Sequence, residues 1–307
     1  MNICNNNSYK KNENGTFIAL GSFDGIHLGH LSLIEKIVEL AKDNNAESVV
    51  YTFLEHPRKF LCGEDSVKLL TNYETKCNIM NSYDVDCIFF EDFNEEYMKK
   101  SPEQFVEYLS NKFNVKGIVV GFNYKFGHKN KGDIRILERL QEVYNYKLYV
   151  MKPFKFQDKA ISSTRIRDEI NKGKIENANC MLGRIYMLEG EVVHGRQIGR
   201  KIGFPTANMK YDTNMIIPKD GVYYTNVCVN NKVYRGITSI GFNPTVNGKK
   251  MTIETNILDF NKDIYGQNIK VYFVKKIRDN KKFDSIEQLK EELTRNKNSS
   301  AKEKIFI

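Results

Sequence analysis

The sequence predicts an α/β protein in two differently built domains. A doubly wound, mostly parallel sheet is expected over residues 1–184, and a small antiparallel β-barrel with a closing helix over residues 185–307. Three observations carry that prediction. Up to about residue 184, short apolar runs alternate with stretches of helical periodicity, the rhythm of strand–helix–strand units. Beyond it, short alternating segments are separated by turn residues, the pattern of a small barrel. A chain of 307 residues, 41% of them hydrophobic, is long enough for two cores and too apolar to be disordered.

Taken in order, Thr16 to Leu20 reads as a buried strand, and Leu33, Ile34, Ile37, Val38 and Ala41 recur at helical spacing within Leu31 to Lys42. Ser48 to Phe53 is a second strand, after which Pro57 turns the chain. Thr71 to Met80 is a helix capped by Thr71 or Asn72. Cys87 to Phe90 is a third strand. Ser101-Pro102 starts a further helix, with Ser as cap and Pro at its first position. Gly117 to Val120 is another buried strand. In the second half the strands are Tyr186 to Val193, Gly221 to Val229, Val233 to Ser239, Met251 to Leu258 and Ile269 to Val274. The turns include Asn230-Asn231, Asn247-Gly248 and Gly266-Gln267, and Ile286 to Thr294 closes the chain as a helix.

Composition narrows the function classes. No run reaches the ~18 apolar residues of a membrane span, and Met1 to Asn14 lacks the apolar core of a signal peptide. Six scattered cysteines without a Cys-x-x-Cys pair argue against a zinc site or disulfide framework and for a reducing cytoplasm. The net charge of +9 admits anionic partners, but no basic stripe with interleaved aromatics appears. No nucleic-acid or membrane partner is therefore expected.

Five stretches carry chemistry. Gly21-Ser22-Phe23-Asp24-Gly25-Ile26-His27-Leu28-Gly29-His30 is a glycine-broken turn from a strand into a helix N-terminus. The free N–H groups and the dipole of such a helix start make an anion site, and His27 and His30 add donors suited to a triphosphate. Gly121-Phe122-Asn123-Tyr124-Lys125-Phe126-Gly127 follows a strand end. It reads either as Asn123 bonding a ligand with Phe126 or Tyr124 against a ring, or as a surface loop with a core aromatic. Ile161-Ser162-Ser163-Thr164-Arg165-Ile166-Arg167 places hydroxyls and two arginines in a helix's first turn, where the arginines oppose the dipole unless an anion compensates. Gly190 to Asn208 is a long loop of glycines and basic residues (Arg196, Arg200, Lys201) ending in Pro205-Thr206-Ala207-Asn208. There Thr206 offers a hydroxyl and Asn208 a carbonyl oxygen to Mg²⁺. On Met251 to Ile257, Glu254 faces away from Ile253 and Ile257, either as a functional carboxylate or as a surface glutamate on an edge strand.

In this order and spacing, Gly21–His30, Gly121–Gly127 and Ile161–Arg167 resemble the adenylyltransferase half of the bacterial bifunctional riboflavin kinase/FAD synthetases, and the resemblance runs on through Ala178–Arg184, which in that family joins the two halves. Pro205–Asn208, Gly241-Phe242-Asn243-Pro244-Thr245, Glu254 and Asp263-Ile264-Tyr265-Gly266 resemble the kinase half. Asn256 differs from the His of many members, and Asn296 from a common acidic residue. The resemblance implies a Rossmann-like nucleotidyltransferase domain that converts FMN and ATP to FAD and pyrophosphate, and a barrel that phosphorylates riboflavin. It implies ATP contacts from Gly21, Phe23, Asp24, Gly29, Asn123, Ser162 and Thr164, with His27, His30 and Arg167 at the reacting phosphates. Phe53, Phe60 and Phe126 are its candidates for stacking the flavin. In the kinase half it implies Gly199 and Gly203 around ATP, Thr206 and Asn208 on Mg²⁺, and Glu254 as base. The competing expectation is a flavin-binding regulatory homologue with one activity. A nucleic-acid-binding protein drawn by its charge would show salt-sensitive RNA or DNA binding.

Overall fold

The computed structural model describes residues 1–63, 66–195, 199, 202–245 and 248–306; for residues 243–245 and 248–250 it describes the main chain only. By compactness the chain divides into two units, Met1–Ser163 and Thr164–Ile307.

The first unit contains β1 (Asn2–Cys4), β2 (Thr16–Leu20), α1 (Leu28–Asp43), β3 (Glu47–Phe53), α2 (Pro57–Cys62), α3 (Tyr73–Asn81), β4 (Cys87–Glu91), α4 (Glu95–Lys99), α5 (Pro102–Phe113), β5 (Val115–Gly121), α6 (Ile134–Tyr144), β6 (Lys147–Met151) and a small hairpin, β7 (Lys155–Phe156) with β8 (Lys159–Ala160). Six strands form one parallel sheet in the order β1-β4-β3-β2-β5-β6. Parallel neighbours need crossovers, which the helices supply. The strand order reverses between β2 and β5, and in such sheets ligands bind in the crevice beyond the carboxyl ends at that switch point. Gly21 and Gly121 both stand there.

The inner strands β2, β3, β4 and β5 are buried on both faces, so they read as largely apolar runs. Phe17 and Ala19 of β2 pack with Leu33, Ile34 and Ile37 of α1. Ile18 and Leu20 pack on the opposite face with Phe105, Val106 and Leu109 of α5. The apolar stripe of α1 includes Leu31 and Leu40 but leaves Val38 only partly buried. Asn72, not Thr71, caps α3, and Ser101 caps α5 in a reciprocal box with Gln104. Pro57 does more than end a strand: it opens α2, with His56 as the cap.

The second unit begins with α7 (Ser163–Asn171), whose first residue lies at the division, and α8 (Ile175–Leu182). It continues with β9 (Tyr186–Val193), β10 (Ala207–Tyr211), β11 (Gly221–Val229), β12 (Lys232–Thr245), β13 (Gly248–Ile257), β14 (Asn268–Arg278) and α9 (Ile286–Ser300). The six strands close into an antiparallel barrel, β10-β13-β12-β11-β14-β9. The hairpin from β11 to β12 pairs Val229 with Lys232 across Asn230 and Asn231, at φ 49° and 61°, the two-residue turn with both φ positive that matches strand twist. The expected turn residue Asn247 lies outside the described residues, as do the loop residues Arg196, Arg200 and Lys201. Ala207 and Asn208, expected in a loop, form β10. This strand is needed for closure, because it joins β9 to β13. Inside the barrel the fully buried hydroxyls of Thr225, Thr238 and Thr255 form a chain with spacings of 2.9 and 2.9 Å.

α8 is tied to the barrel by one side chain. Buried Asn179 donates from Nδ2 to the Phe273 and Val274 carbonyls (2.9 and 3.2 Å) and accepts from the Tyr186 N–H at 2.7 Å. Asn179→Leu leaves three buried main-chain groups unsatisfied and should lower unfolding stability by roughly 3 kcal/mol, measured by urea denaturation of the whole chain.

α9 is held by Glu292, whose carboxylate meets Arg278, Lys281 and Arg295 at 3.1, 3.3 and 3.2 Å. Burial opposes its charge, but Lys281, Arg278 and Arg295 together outweigh burial and hold the carboxyl below the usual range. A depressed folded-state pKa gives stability that is present above the unfolded value, about 4.3, and lost as pH falls through the folded one. The stability difference between wild type and Glu292→Gln should therefore narrow between about pH 7 and about pH 2.

Candidate active sites

The first site is built at the carboxyl end of β2. The turn out of β2 carries Phe23, Gly25 and Ile26 at φ 47°, 82° and 36°. Left-handed backbone costs a bulky or β-branched residue of order 1–3 kcal/mol and persists where the surroundings over-determine it. Here the Phe23 and Ile26 side chains are fully buried in the core. A Cβ at Gly25 would lie 2.7 Å from Leu70, so only glycine fits. The Asp24 carboxylate, also buried, accepts the Leu70 and Thr71 N–H groups at 3.0 and 3.4 Å, and the Thr71 Oγ1 accepts the Gly25 N–H at 3.2 Å. Phe23 and Asp24 thus turn their side chains inward to fix the turn, and any contact from Phe23 to a nucleotide is through its main chain.

The turn delivers the histidines. His27 caps α1, its Nδ1 accepting the His30 N–H at 3.2 Å, which makes Nε2 the donor. The His27 and His30 rings stack at 3.7 Å, and Phe23 packs 5.1 Å from His30. Gly29 lies against the His27 ring. Asn123 is exposed just beyond β5, whereas Phe126 is buried between Phe105 and Tyr124. Phe126 is therefore the core aromatic of the two alternatives, and it presents little surface for stacking. Phe53 meets Phe93 and Tyr97 edge-on at 5.5 Å each, and Phe60 meets Phe93 at 5.7 Å; Phe60 is about half exposed. Ser163 donates to the Asp24 carbonyl at 2.8 Å, a role the sequence reading had not singled out. Ser162 precedes α7, and Thr164 and Arg167 follow within it, in the second unit.

A small cavity of about 40 Å³ lies at the carboxyl ends of β2, β3 and β4, lined by Ser22, Asp24, Phe53, His56, Lys76 and Phe90 among others. Lys76 went unnoticed in the sequence because a lysine in a helix reads as solvated surface. Its Nζ donates to the Ser22 carbonyl at 3.1 Å, and burial pulls the ammonium below the usual lysine range against the opposing pull of Asp24.

The second site is set by strand register. Asn208 of β10 pairs directly with Glu254 of β13, which also pairs with Ser239 of β12. Side chains of directly opposed residues share a face, so Asn208 and Glu254 stand together. Gly195 covers the Asn208 amide so closely that a Cβ there would lie 2.3 Å from its Nδ2. Asn256, on the same face as Glu254, donates to the Pro205 carbonyl at 2.7 Å and so ties β13 to the segment before β10. The Gly199 carbonyl accepts from Ile202 and Phe204, and Gly203 takes φ 86° in the turn between them. A cavity of about 350 Å³ opens beside these residues, lined by Thr206, Ala207, Thr255, Ile257, Asp263 and Tyr265 among others. Asn208 and Glu254 are adjacent to its wall rather than in it. His194 stacks on Tyr265 at 3.8 Å.

Among the described residues no cluster of three or more His, Cys, Asp or Glu could hold a metal. Thr206 and Asn208 offer neutral hard oxygens instead. That donor set fits Mg²⁺ carried largely by phosphates and water, and not a tightly bound zinc.

A parallel sheet with a helix start suited to anions at its switch point, followed by a separate barrel with its own cavity, is the build of a two-domain protein that handles phosphate-bearing ligands. A family model described as FAD synthetase matches residues 9–165, and one described as riboflavin kinase matches residues 182–303. The bifunctional riboflavin kinase/FMN adenylyltransferase of Buchnera aphidicola subsp. Schizaphis graminum is 35% identical and covers 93% of each chain. That of Bacillus subtilis is 36% identical over 94% of this chain and 92% of the relative. A solved structure described as a macrolide-efflux protein from Streptococcus pneumoniae superposes with a TM-score of 0.91 at 32% identity, covering 99% of this chain and 100% of that one. Among the described residues no helix is long and apolar enough to cross a membrane. The chain belongs to the bifunctional riboflavin kinase/FMN adenylyltransferase family.

Proposed function

We propose that residues 1–184 carry the family's FMN adenylyltransferase activity and residues 185–307 its riboflavin kinase activity. The observation that carries this division is the pair of separate family matches, each falling on a fold with its own cavity and polar cluster.

In the kinase half the nucleophile is the ribityl 5′-hydroxyl of riboflavin, a weak nucleophile that needs a positioned base. Glu254 takes its proton as the oxygen bonds to the γ-phosphorus of ATP, the bond to ADP breaks, and FMN forms. Thr206 and Asn208 would hold Mg²⁺ on the ATP phosphates, and the ion would supply charge neutralisation there. Gly199 and Gly203 let the adjoining loop approach the nucleotide.

In the adenylyltransferase half the nucleophile is the FMN phosphate, already anionic, so no base is required. Its oxygen bonds to the α-phosphorus of ATP as pyrophosphate leaves. The work is positioning and charge stabilisation, for which His27, His30 and the Leu28 and Gly29 N–H groups at the start of α1 are suited. Gly21 and Gly29 admit the phosphates to the main chain. Asn123 and Ser162 add ATP contacts within the first unit, and Phe53 and Phe60 flank the flavin. A chain with scattered cysteines and no Cys-x-x-Cys pair suits a reducing cytoplasm.

No residue of the core motifs is missing from either half, which disfavours a flavin-binding regulator with a single activity. Chromatography of flavins after incubation with riboflavin, ATP and Mg²⁺ should show FMN and then FAD. FMN without FAD, with either oxidised or reduced flavin, would leave the first half without its proposed reaction.

A further inference from the structure

We propose that the Lys76 ammonium holds the phosphate of the flavin mononucleotide and so selects the phosphorylated flavin over riboflavin at the adenylylation site. The proposal rests on the adenylyltransferase reading above and adds to it the group that recognises the acceptor.

Three observations converge. First, the ammonium lacks a counter-ion among the described residues: it has one hydrogen bond and the face of the Phe90 ring at 6.0 Å. It donates to the Ser22 carbonyl, which already accepts the Thr52 hydroxyl at 2.9 Å. Among the described residues no carboxylate forms an ion pair with it. The nearest charge, Asp24, spends its carboxylate on the Leu70 and Thr71 N–H groups. A desolvated ammonium with N–H groups unspent is destabilising unless an anion completes its shell. Second, Lys76 lines a cavity with Phe53 and Phe90, at the carboxyl ends of β3 and β4. At about 40 Å³ the cavity has room for a few waters or a small anion. Third, topology assigns it a side. The signature turn leaves β2 between β3 and β5. Asn123, on the β5 side, is the residue proposed for ATP, so an anion beside β3 and β4 belongs to the acceptor. The acceptor's anion is its own phosphate, the attacking group.

The test is steady-state kinetics of FAD formation by the full chain. Lys76→Met should raise KM for FMN about tenfold or more, the loss of a charge-assisted hydrogen bond, with KM for ATP and riboflavin phosphorylation unchanged. Lys76→Arg should recover part of the loss. A variant that raises KM for ATP instead, or leaves KM for FMN unchanged, overturns the assignment. A second measurement needs no variant. Lysine acylation of the wild-type chain by acetic anhydride, read by peptide mass spectrometry, should be blocked at Lys76 by FMN and not by riboflavin; equal protection by both, or by neither, overturns it. Failure of the wild-type chain to make FAD at all would overturn the functional reading and this proposal together. An unchanged KM for FMN in a chain that makes FAD overturns this proposal alone.

Discussion

His30→Ala should reduce FAD formation by at least about 100-fold, the usual consequence of deleting a donor aimed at transition-state charge, and leave FMN formation from riboflavin unchanged. The reason is position. His30 stands on the first turn of α1, with its ring stacked on His27 at 3.7 Å and backed by Phe23, at the helix end where the dipole already favours anions. The kinase activity of the same chain is the internal control for folding. Because the imidazole also packs on its neighbours, His30→Gln gives a second variant that keeps a polar planar group. It should fold with wild-type stability and still lose most FAD formation. Retained FAD formation in either variant would remove the histidine from the phosphate site.

The reciprocal result is expected of Glu254. Glu254→Gln, nearly isosteric, should lower riboflavin phosphorylation by about 100- to 10,000-fold, the range of a general base, and leave conversion of FMN to FAD intact. The register argument makes this specific. Glu254 lies directly across from Asn208, and Asn256 on the same face anchors Pro205. The carboxylate, the proposed metal donor and the segment carrying Thr206 are therefore held by one strand pair. Loss of both activities in a single well-folded variant at either residue would overturn the two-site assignment. Retained kinase activity in Glu254→Gln would leave Glu254 as a surface glutamate.

Much of this was legible in the chain. Thr16–Leu20, Tyr186–Val193 and Gly221–Val229 are strands with the bounds the pattern predicts, because apolar run length and alternation report local geometry directly. Asn230-Asn231 forms its turn because asparagine tolerates positive φ. The signature turn was readable for the same local reason: glycines, a cap and a helix start are contiguous in sequence. What the sequence could not supply was pairing. β10 was hidden in a glycine-rich loop because its strand character comes from bonds to β9 and β13 and not from its own composition. Phe126 reads like any loop aromatic until Phe105 closes over it. Lys76 reads like any helix lysine until the fold brings it to Ser22, 54 residues away. The sequence by itself determined the local elements and the chemical groups available at each motif. Only the tertiary structure decided which groups share a face, which are buried and which cation has no carboxylate beside it among the described residues, since those depend on strand register and long-range packing that no local pattern encodes.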